Sequence, residues 1–290
     1  MPEAATCPLC GATEHRQLYR FEPSRWIPGR VVRCAKCRVI YKVPSDSSKI
    51  LTDYYGPEYA ELDYWDQEEE ARRSLSKIRD CVAETVTTGS LLDVGCGPGL
   101  FVELAQESGF RVTGLEYNPS LAARARERTG AEIVEGDFLS SDLGGRHFDV
   151  VTLLDLIEHL ADPLAALRRC RELLNPGGHL VLYTPNHASL IVRLAVMLDR
   201  VTRGRYSEPV GEIFDCTHVV FFDQRSLKQA LAKTGLHARR TVLVKYDPSR
   251  SRQATGVSAQ ALKAIESVSP LVRGQFRILL FAQTAQWPTL

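Results

Sequence analysis

Short apolar runs alternate along most of this chain with segments whose apolar residues recur every three to four positions. Short apolar runs are typical of buried strands, and apolar residues that recur every three to four positions are typical of amphipathic helices. The alternation predicts an α/β fold, a doubly wound and mostly parallel sheet that binds its ligand at the carboxyl ends of the strands. The predicted strands are residues 91–94, 111–115, 131–135, 148–154, 179–184, 236–246 and 275–284.

A glycine-rich turn follows the first predicted strand. Gly95, Gly97 and Gly99 occupy alternate positions between the apolar run and an amphipathic segment. So sharp a turn needs backbone dihedrals that glycine adopts readily, and it lets a ligand approach the free N–H groups of the next helix. A dinucleotide fingerprint would need glycine where Leu100 stands, and an acid, Asp93, closes the strand. A plain structural turn is the alternative interpretation.

An acidic residue also closes each of the next two strands. Glu116, followed by Tyr117, lies about 20 residues beyond the glycine turn, where a carboxylate can hold the hydroxyls of a ribose. Asp137 and Phe138 follow the third strand, where an adenine would lie. A single acid at such a position is commonly a turn residue. Acids after three successive strands instead favour a nucleoside-binding edge.

Two C-x-x-C pairs stand near the N terminus, Cys7 with Cys10 and Cys34 with Cys37. Two intervening residues let a tight knuckle present both sulfurs to one tetrahedral ion, so the pattern predicts a zinc-ribbon module over residues 1–44. Four thiolates leave no open coordination position, which indicates structural rather than catalytic zinc. A redox pair is the alternative interpretation.

The composition limits which cellular compartment and which binding partners we expect for this protein. The 290 residues are 44% apolar and 24% charged, which is ordinary for a globular protein, and the formal net charge is +1. So small a charge supplies no general attraction to nucleic acid or membrane. The sequence shows neither a signal-like apolar N terminus nor an apolar stretch of about 18 residues. We therefore expect a cytoplasmic protein whose eight cysteines are thiols or metal ligands rather than disulfides.

Six motifs occur in a fixed order, and the segment that they span, from residue 91 to residue 236, is about half of the chain. They are LLDVGCGPGLF (91–101), GLEYNP (114–119), GDF (136–138), FDVVTLLDLIEHLADP (148–163), LLNPGGHLVLYTPN (173–186) and THVVFFDQRSLKQALAKTGL (217–236). This set resembles the seven-stranded, Rossmann-like methyltransferases that use S-adenosylmethionine, in particular the ubiquinone-biosynthesis O-methyltransferases. The zinc-ribbon segment is similar to that of bacterial methyltransferases of natural-product and sugar pathways.

The resemblance assigns roles to residues of this chain. The glycine turn would hold the methionine end of S-adenosylmethionine, Glu116 its ribose, and residues 137–138 its adenine. The implied cofactor-binding residues are Asp93, Gly95, Gly97, Gly99, Glu116, Tyr117, Asp137, Phe138 and Asp155. In the ubiquinone relatives an E-x-x-E-H stretch after the fourth strand can hold a divalent cation, although many relatives keep E-H without metal. The corresponding residues are Asp155, Glu158 and His159.

Methyl transfer to oxygen requires alignment of the reactants and a base, for which histidine is the usual choice. His159 follows the fourth strand, and His218 precedes an apolar segment at 219–222, so both are candidate catalytic residues. His187 is a weaker third candidate. Each of these histidines could instead be a structural, hydrogen-bonded residue.

The sequence predicts a bridge and leading helix at 45–88 and a catalytic domain at 89–290. Within this domain, the segment 187–217 is an insertion that the core fold does not require. Its apolar stripe and arginines predict a lid over the acceptor pocket, the arginines meeting an acidic substrate. A membrane-surface helix and plain packing on the core are the alternatives. The stripe comprises Leu190, Leu194, Met197, Leu198 and Val201, and the arginines are Arg193, Arg200, Arg203 and Arg205.

The sequence thus predicts a methyltransferase that uses S-adenosylmethionine and acts on an oxygen of a small-molecule acceptor such as a natural product, sugar or quinone. One alternative is an RNA methyltransferase that grips RNA with the ribbon, and the near-neutral charge argues against it. Another is a non-catalytic module that keeps the cofactor fold, and the intact acids after three strands argue against that.

Overall fold

The computed structural model describes residues 6–21, 29–43, 68–215, 217–245 and 264–284. The predicted bridge lies outside the described residues. The strands are β1 (His15–Phe21), β2 (Gly29–Cys34), β3 (Ile40–Val43), β4 (Gly89–Val94), β5 (Phe110–Glu116), β6 (Glu132–Glu135), β7 (Phe148–Leu154), β8 (Leu174–Pro185), β9 (Val220–Phe221), β10 (Leu236–Val244) and β11 (Arg277–Thr284). The helices include α1 (Glu68–Thr85), α2 (Leu100–Glu107), α3 (Pro119–Thr129), α4 (Pro163–Leu173), α5 (Leu190–Val201), α6 (Glu208–Phe214) and α7 (Gln224–Lys233), with 3₁₀ turns at Ile157–His159 and Ser269–Val272.

Seven strands form the central sheet in the order β10-β11-β8-β7-β4-β5-β6. From β8 to β6 all neighbours are parallel, whereas β11 is antiparallel to both β8 and β10. The chain runs outward from β4 through β5 to β6 and then returns to place β7 on the other side of β4. This reversal opens a crevice at the carboxyl ends of β4 and β7. The predicted fold class is therefore confirmed.

Helices cover both faces of this sheet. Leu91 and Leu92 on β4 are fully buried but belong to opposite apolar clusters. The cluster on one face contains residues of α1, α2 and α3, and the cluster on the other contains residues of α4 and α7. A strand buried on both faces reads as a continuous apolar run rather than an alternating one, which is the pattern that marked these strands in the sequence.

The N-terminal strands build a second, antiparallel sheet in the order β1-β2-β3-β9. Its fourth strand comes from the far end of the chain, because Ile40 pairs with Phe221 and Tyr41 with Val220. The N–H of Lys42 also donates to the carbonyl of Val219 at 2.9 Å. The predicted ribbon module at 1–44 is thus joined to the catalytic part of the chain through a shared sheet and a continuous apolar core. The exact domain boundaries stay a prediction.

The predicted insertion at 187–217 contains α5 and α6. Val192 and Ala195 form the buried face of α5, whereas Met197 and Val201 of the predicted stripe are 56% and 77% exposed. The stripe is therefore not the face that packs. Among the helices of the described residues, none has both the length and the apolar character that crossing a bilayer requires.

Candidate active site

The glycine turn lies at the carboxyl end of β4, as its sequence predicts. Gly95, Gly97 and Gly99 all have positive φ, at 69°, 54° and 85°. A Cβ on Gly99 would lie 3.0 Å from the backbone of Ala125, so close packing of α2 against α3 requires glycine there. A Cβ on Gly97 would meet nothing within 4 Å. Gly97 therefore faces an open cradle that a larger residue would fill.

Glu116 closes β5 directly beside this turn and is 8% exposed. One carboxylate oxygen accepts the N–H of Gly97 at 2.8 Å, and the other accepts the N–H of Asn118 at 2.8 Å. Burial raises the pKa of Glu116, although the surrounding backbone N–H groups act to lower it. The carboxylate thus links the glycine turn to the start of α3 at the position where the sequence predicts a ribose.

The other predicted cofactor residues differ in their accessibility. Asp93 is buried, and the hydroxyl of Thr152 on β7 donates to its carboxylate at 2.6 Å. Burial, more than the nearby charge of Glu116, raises the pKa of Asp93 to about 7. Asp93 therefore ties β4 to β7 beneath the turn. Its direct contact with a cofactor stays a prediction.

The residues after β5 and β6 are divided between the crevice and the core. Tyr117 is partly exposed and Asp137 is half-buried, with its carboxylate accepting the N–H of Leu139 at 3.2 Å. Phe138 is instead buried in the core, with the guanidinium of Arg169 5.5 Å from its ring centroid. Tyr117 and Asp137 are thus better placed than the ring of Phe138 to contact an adenine.

Asp155, at the end of β7, adopts the left-handed region with φ of 53°, a conformation that costs a non-glycine residue about 1–3 kcal/mol and is common at functional sites. The conformation is held by the N–H of Asp155, which donates to the carbonyl of Tyr183 at 2.8 Å. Its carboxylate forms an ion pair with Arg277 on β11. Burial lowers the pKa of Arg277, but the charge of Asp155 more than offsets this, and the net pKa is raised.

Three histidines meet beside this ion pair. The ring centroids of His159 and His218 are 4.8 Å apart, and those of His187 and His218 are 6.2 Å apart. Nδ1 of His159 lies 3.3 Å from the carbonyl oxygen of Thr217. Because a carbonyl can only accept, this contact favours the tautomer with the proton on Nδ1 and leaves Nε2 as the acceptor nitrogen.

Burial determines the protonation of this cluster. It lowers the pKa of His159 to about 4 and that of His187 to about 3, and Arg277 lowers both further. Burial and the neighbouring histidines hold the pKa of His218 well below its ordinary value. All three rings are therefore neutral near pH 7, which is the protonation state that a general base needs.

The 61% of the chain that lies between residues 64 and 240 matches the family described as "Methyltransferase domain". The chain belongs to this methyltransferase family. The ubiquinone biosynthesis O-methyltransferase of Xanthomonas campestris pv. campestris is 36% identical over 146 residues, which cover 46% of this chain and 61% of the relative. That of Cereibacter sphaeroides is 40% identical over 112 residues, covering 37% of this chain and 45% of the relative. The methyltransferase thus aligns with less than two thirds of these curated relatives.

Solved structures agree with this fold. The magnesium protoporphyrin IX methyltransferase of Synechocystis PCC 6803, solved with bound SAH, superposes with a TM-score of 0.55 at 14% identity and covers 82% of this chain and 100% of its own. A chain of the Haloferax volcanii complex between a methyltransferase activator and a methyltransferase has a TM-score of 0.59 at 15% identity, covering 79% of this chain and 99% of its own. At such identities the similarity establishes the fold alone.

The methyltransferase also carries site residues that local sequence patterns do not reveal. Arg277 follows Asp155 by 122 residues, and no motif connects the two. Thr184 donates its hydroxyl to the carboxylate of Glu158 at 2.9 Å from the neighbouring strand. Burial and the charge of Asp155 raise the pKa of Glu158. The sequence could have indicated Thr184 as a site residue, because it lies at the end of a predicted strand. No feature of the sequence indicated Arg277.

The structure groups different residues from those that the resemblance implies as ligands of a divalent cation. Asp155 is neutralised by Arg277, and His218 instead joins Glu158 and His159, with one donor atom from each lying within 4.8 Å of the others. The predicted set of Asp155, Glu158 and His159 is therefore not brought together as one site.

The four N-terminal cysteines do come together, as their spacing predicts. Sγ of Cys7 lies 3.5 Å from that of Cys37, and Sγ of Cys10 lies 3.5 Å from that of Cys34. All four sulfurs fall within 4.8 Å of one another, and none forms a disulfide. A tetrahedron with Zn–S bonds of about 2.3 Å has edges of about 3.8 Å, so the donor set and its size fit zinc.

Proposed function

We propose that this methyltransferase transfers the methyl group of S-adenosylmethionine to an oxygen of a small-molecule acceptor. The observation that carries the proposal is that the Glu116-bound glycine turn at the end of β4 and the histidine cluster around His159, which follows the neighbouring strand β7, lie at the same carboxyl edge of the sheet. Relatives named ubiquinone biosynthesis O-methyltransferases support oxygen as the acceptor atom. The Synechocystis structure with bound SAH supports the cofactor.

The residues at the carboxyl edge fit such a cofactor. Gly97 leaves an open cradle beside α2, whose first N–H groups are free to bind. Glu116 would exchange its contacts with backbone N–H groups for the two ribose hydroxyls, and Asp137 and Tyr117 would contact the adenine. When bound, S-adenosylmethionine supplies a methyl group on a positively charged sulfur.

The histidines complete the chemistry. Nε2 of His159 would accept the proton of the acceptor hydroxyl, and this oxygen would take the methyl group that S-adenosylmethionine supplies when bound, leaving S-adenosylhomocysteine. The carbonyl of Thr217 holds the tautomer in which Nε2 accepts, and His218 packs against the edge of that ring. The neighbouring residues exclude water and align the reactants, and alignment supplies the larger share of the rate.

We also propose that Cys7, Cys10, Cys34 and Cys37 hold one structural zinc ion. Each pair forms a knuckle closed by a residue with positive φ, Gly11 at 69° after the first pair and Arg38 at 71° after the second. The N–H of Cys37 points to Sγ of Cys34 at 3.4 Å, a contact that stabilises a thiolate. A closed shell of four thiolates has no position for a substrate.

Glu116→Ala should weaken binding of S-adenosylmethionine by roughly 2–3 kcal/mol, because a charged acceptor of two hydroxyl hydrogen bonds is lost. Isothermal titration calorimetry measures this change. Glu116→Gln keeps the side-chain shape and one acceptor oxygen and should lose less. Glu135→Ala, which removes an exposed acid of β6 paired with Arg126, is the matched control. Unchanged affinity in a folded Glu116→Ala protein would refute the ribose assignment.

The pH dependence of kcat/KM should show no loss of activity from His159 between about pH 8 and pH 5. Its pKa is lowered to about 4, so the ring stays neutral in this range and is protonated only as the pH falls through about 4. An unperturbed histidine would begin to lose activity near pH 6.5. A pH–rate profile distinguishes the two. An inflection near pH 6.5 that persists in Glu158→Gln would contradict the assignment of His159 as base.

A further inference from the structure

A cavity of about 610 Å³ lies between the N-terminal sheet and α5. One wall comes from β1 and β2, the other from α5, and His187 and Phe214 also line it. Its volume falls within the range of small-molecule sites. The cavity therefore lies between the ribbon and the insertion and reaches His187, one member of the histidine cluster.

Four arginines converge on this cavity. Arg16 and Arg33 come from the sheet, Arg193 and Arg200 come from α5, and Asp199 is the single acid among the described lining residues. Within the described part of the chain, none of the four guanidinium groups takes part in a salt bridge. The positive charge around the cavity is therefore in excess.

The excess of positive charge acts on the pKa of Arg33. Its side chain is half-buried, and burial together with the positive charges of Arg38, Arg200 and Arg16 lowers its pKa. A bound anion would relieve this repulsion, and guanidinium groups bind carboxylates and phosphates through paired hydrogen bonds. Arg33 immediately precedes Cys34, so the zinc knuckle fixes its position on β2.

A row of ring contacts leads from the arginines to the histidines. Tyr19 stacks on Phe214 with ring centroids 5.3 Å apart, and Phe214 lies 5.7 Å from His187. His187 in turn lies 6.2 Å from His218, the neighbour of His159. Neither ring nitrogen of His187 has a hydrogen-bond partner among the described residues. The path therefore runs from a positively charged end, through aromatic side chains, to a polar end.

We propose, resting on the methyl transfer proposed above, that this cavity binds the acceptor and that the acceptor is an aromatic or otherwise apolar molecule bearing a phosphate or carboxylate. The anion lies among Arg16, Arg33, Arg193 and Arg200. The body packs on Tyr19 and Phe214, and the hydroxyl to be methylated points past His187 towards His159. A cavity of this size in a chain of net charge +1 favours a small anion over RNA, which would need a basic stripe.

Calorimetric titration of the full-length zinc-loaded protein with phenyl phosphate, benzoate and uncharged benzamide tests this site. One or both aromatic anions should bind with a stoichiometry of one, and benzamide should not. A preference for phenyl phosphate or for benzoate identifies the anionic group. Raising the salt concentration should weaken the binding, and a crystal structure with the tighter anion should place its ring on Phe214 and its charge beside Arg33.

Substitutions of the cavity arginines test where the aromatic anion binds. Arg33→Gln should weaken the aromatic anion at least about tenfold, and so should Arg193→Gln/Arg200→Gln, which changes only exposed side chains of α5 and leaves the ribbon intact. Arg111→Gln, which changes an exposed arginine at the start of β5 that does not line the cavity, is the matched control and should bind as wild type. Equal affinity in all of these proteins would overturn the assignment.

Cofactor titrations keep this inference separate from the proposed function. Binding of S-adenosylhomocysteine without binding of either aromatic anion would overturn the subsite and leave methyl transfer standing. Anion binding at these arginines without binding of S-adenosylhomocysteine would refute the methyl-transfer proposal, and with it the role of the bound molecule as acceptor. Binding of a single-stranded RNA oligonucleotide but not of phenyl phosphate or benzoate would overturn the small-anion assignment in favour of nucleic acid.

Discussion

Cys34→Ser should remove zinc, disorder β1–β3 and lower turnover of the methyltransferase by about 10²-fold or more, while S-adenosylmethionine still binds. Structural zinc contributes about 10–16 kcal/mol in small finger peptides, more than a module of this size gains from its own core. The glycine turn and Glu116 belong to the larger central sheet, which has its own core on both faces. Zinc analysis, circular dichroism and cofactor calorimetry measure the three effects separately.

Hydrogen bonds explain why turnover should depend on the ribbon. The N–H of Lys42 on β3 donates to the carbonyl of Val219, and the N–H of Val219 donates to the carbonyl of Glu158, each at 2.9 Å. His218 precedes Val219 and His159 follows Glu158, so the ribbon holds both candidate bases through two backbone contacts. A displacement of about 1 Å at such groups can cost about 10²-fold in rate.

Cys81→Ser is the matched control, because Cys81 is a half-buried free thiol on α1, away from the knuckles. It should keep its zinc and its turnover. Wild-type turnover in a Cys34→Ser protein that has lost zinc and the order of β1–β3 would show that the ribbon does not shape the acceptor site. A metal-free wild-type protein with a folded N terminus would refute the zinc assignment itself.

His159→Gln and His218→Gln should each lower kcat by about 10²–10⁴-fold if the ring accepts or orients the acceptor proton. Affinity for S-adenosylmethionine should not change, because both variants leave the glycine turn and Glu116, which we propose hold the cofactor, unaltered. Glutamine retains polarity and similar volume but has no basic nitrogen. The loss should be greater for His159, whose tautomer is held by the carbonyl of Thr217, than for His218.

His147→Gln, which changes an exposed histidine before β7, should leave kcat unchanged. Metal analysis accompanies these measurements, because Glu158, His159 and His218 also form a donor set that can hold a cation. A stoichiometric second metal that both variants lose would assign the rings as ligands instead of bases. Near wild-type turnover in both variants would show that positioning alone suffices for the reaction.

Local features of the sequence predicted the architecture and the family. Apolar runs such as Leu91–Val94 identify strands covered on both faces, and alternate glycines at 95, 97 and 99 identify the turn that follows. Acids at the ends of β4, β5 and β6 indicated the cofactor edge, because carboxyl ends of neighbouring parallel strands converge. The predictions of the fold and of a methyltransferase are confirmed, and the role of each site residue stays a prediction.

Contacts between distant residues needed the structure. The pairing of Tyr41 with Val220 joins the ribbon to the catalytic part, and an ion pair joins Asp155 at the end of β7 to Arg277 on β11. Neither contact has a periodic or local signal in the sequence. The pairing of residues so far apart in the chain depends on the strand order and on how the sheets pack.

The sequence by itself determined which segments become strands and helices, where the glycine turn lies and which cysteines pair in knuckles, since period, backbone freedom and short ligand spacings are local properties. Only the tertiary structure decided that Phe138 turns into the core, that His159, His187 and His218 meet, and that four arginines face one cavity. Those outcomes depend on burial and on the convergence of residues far apart in the chain, which are fixed only when the two sheets and α5 pack together.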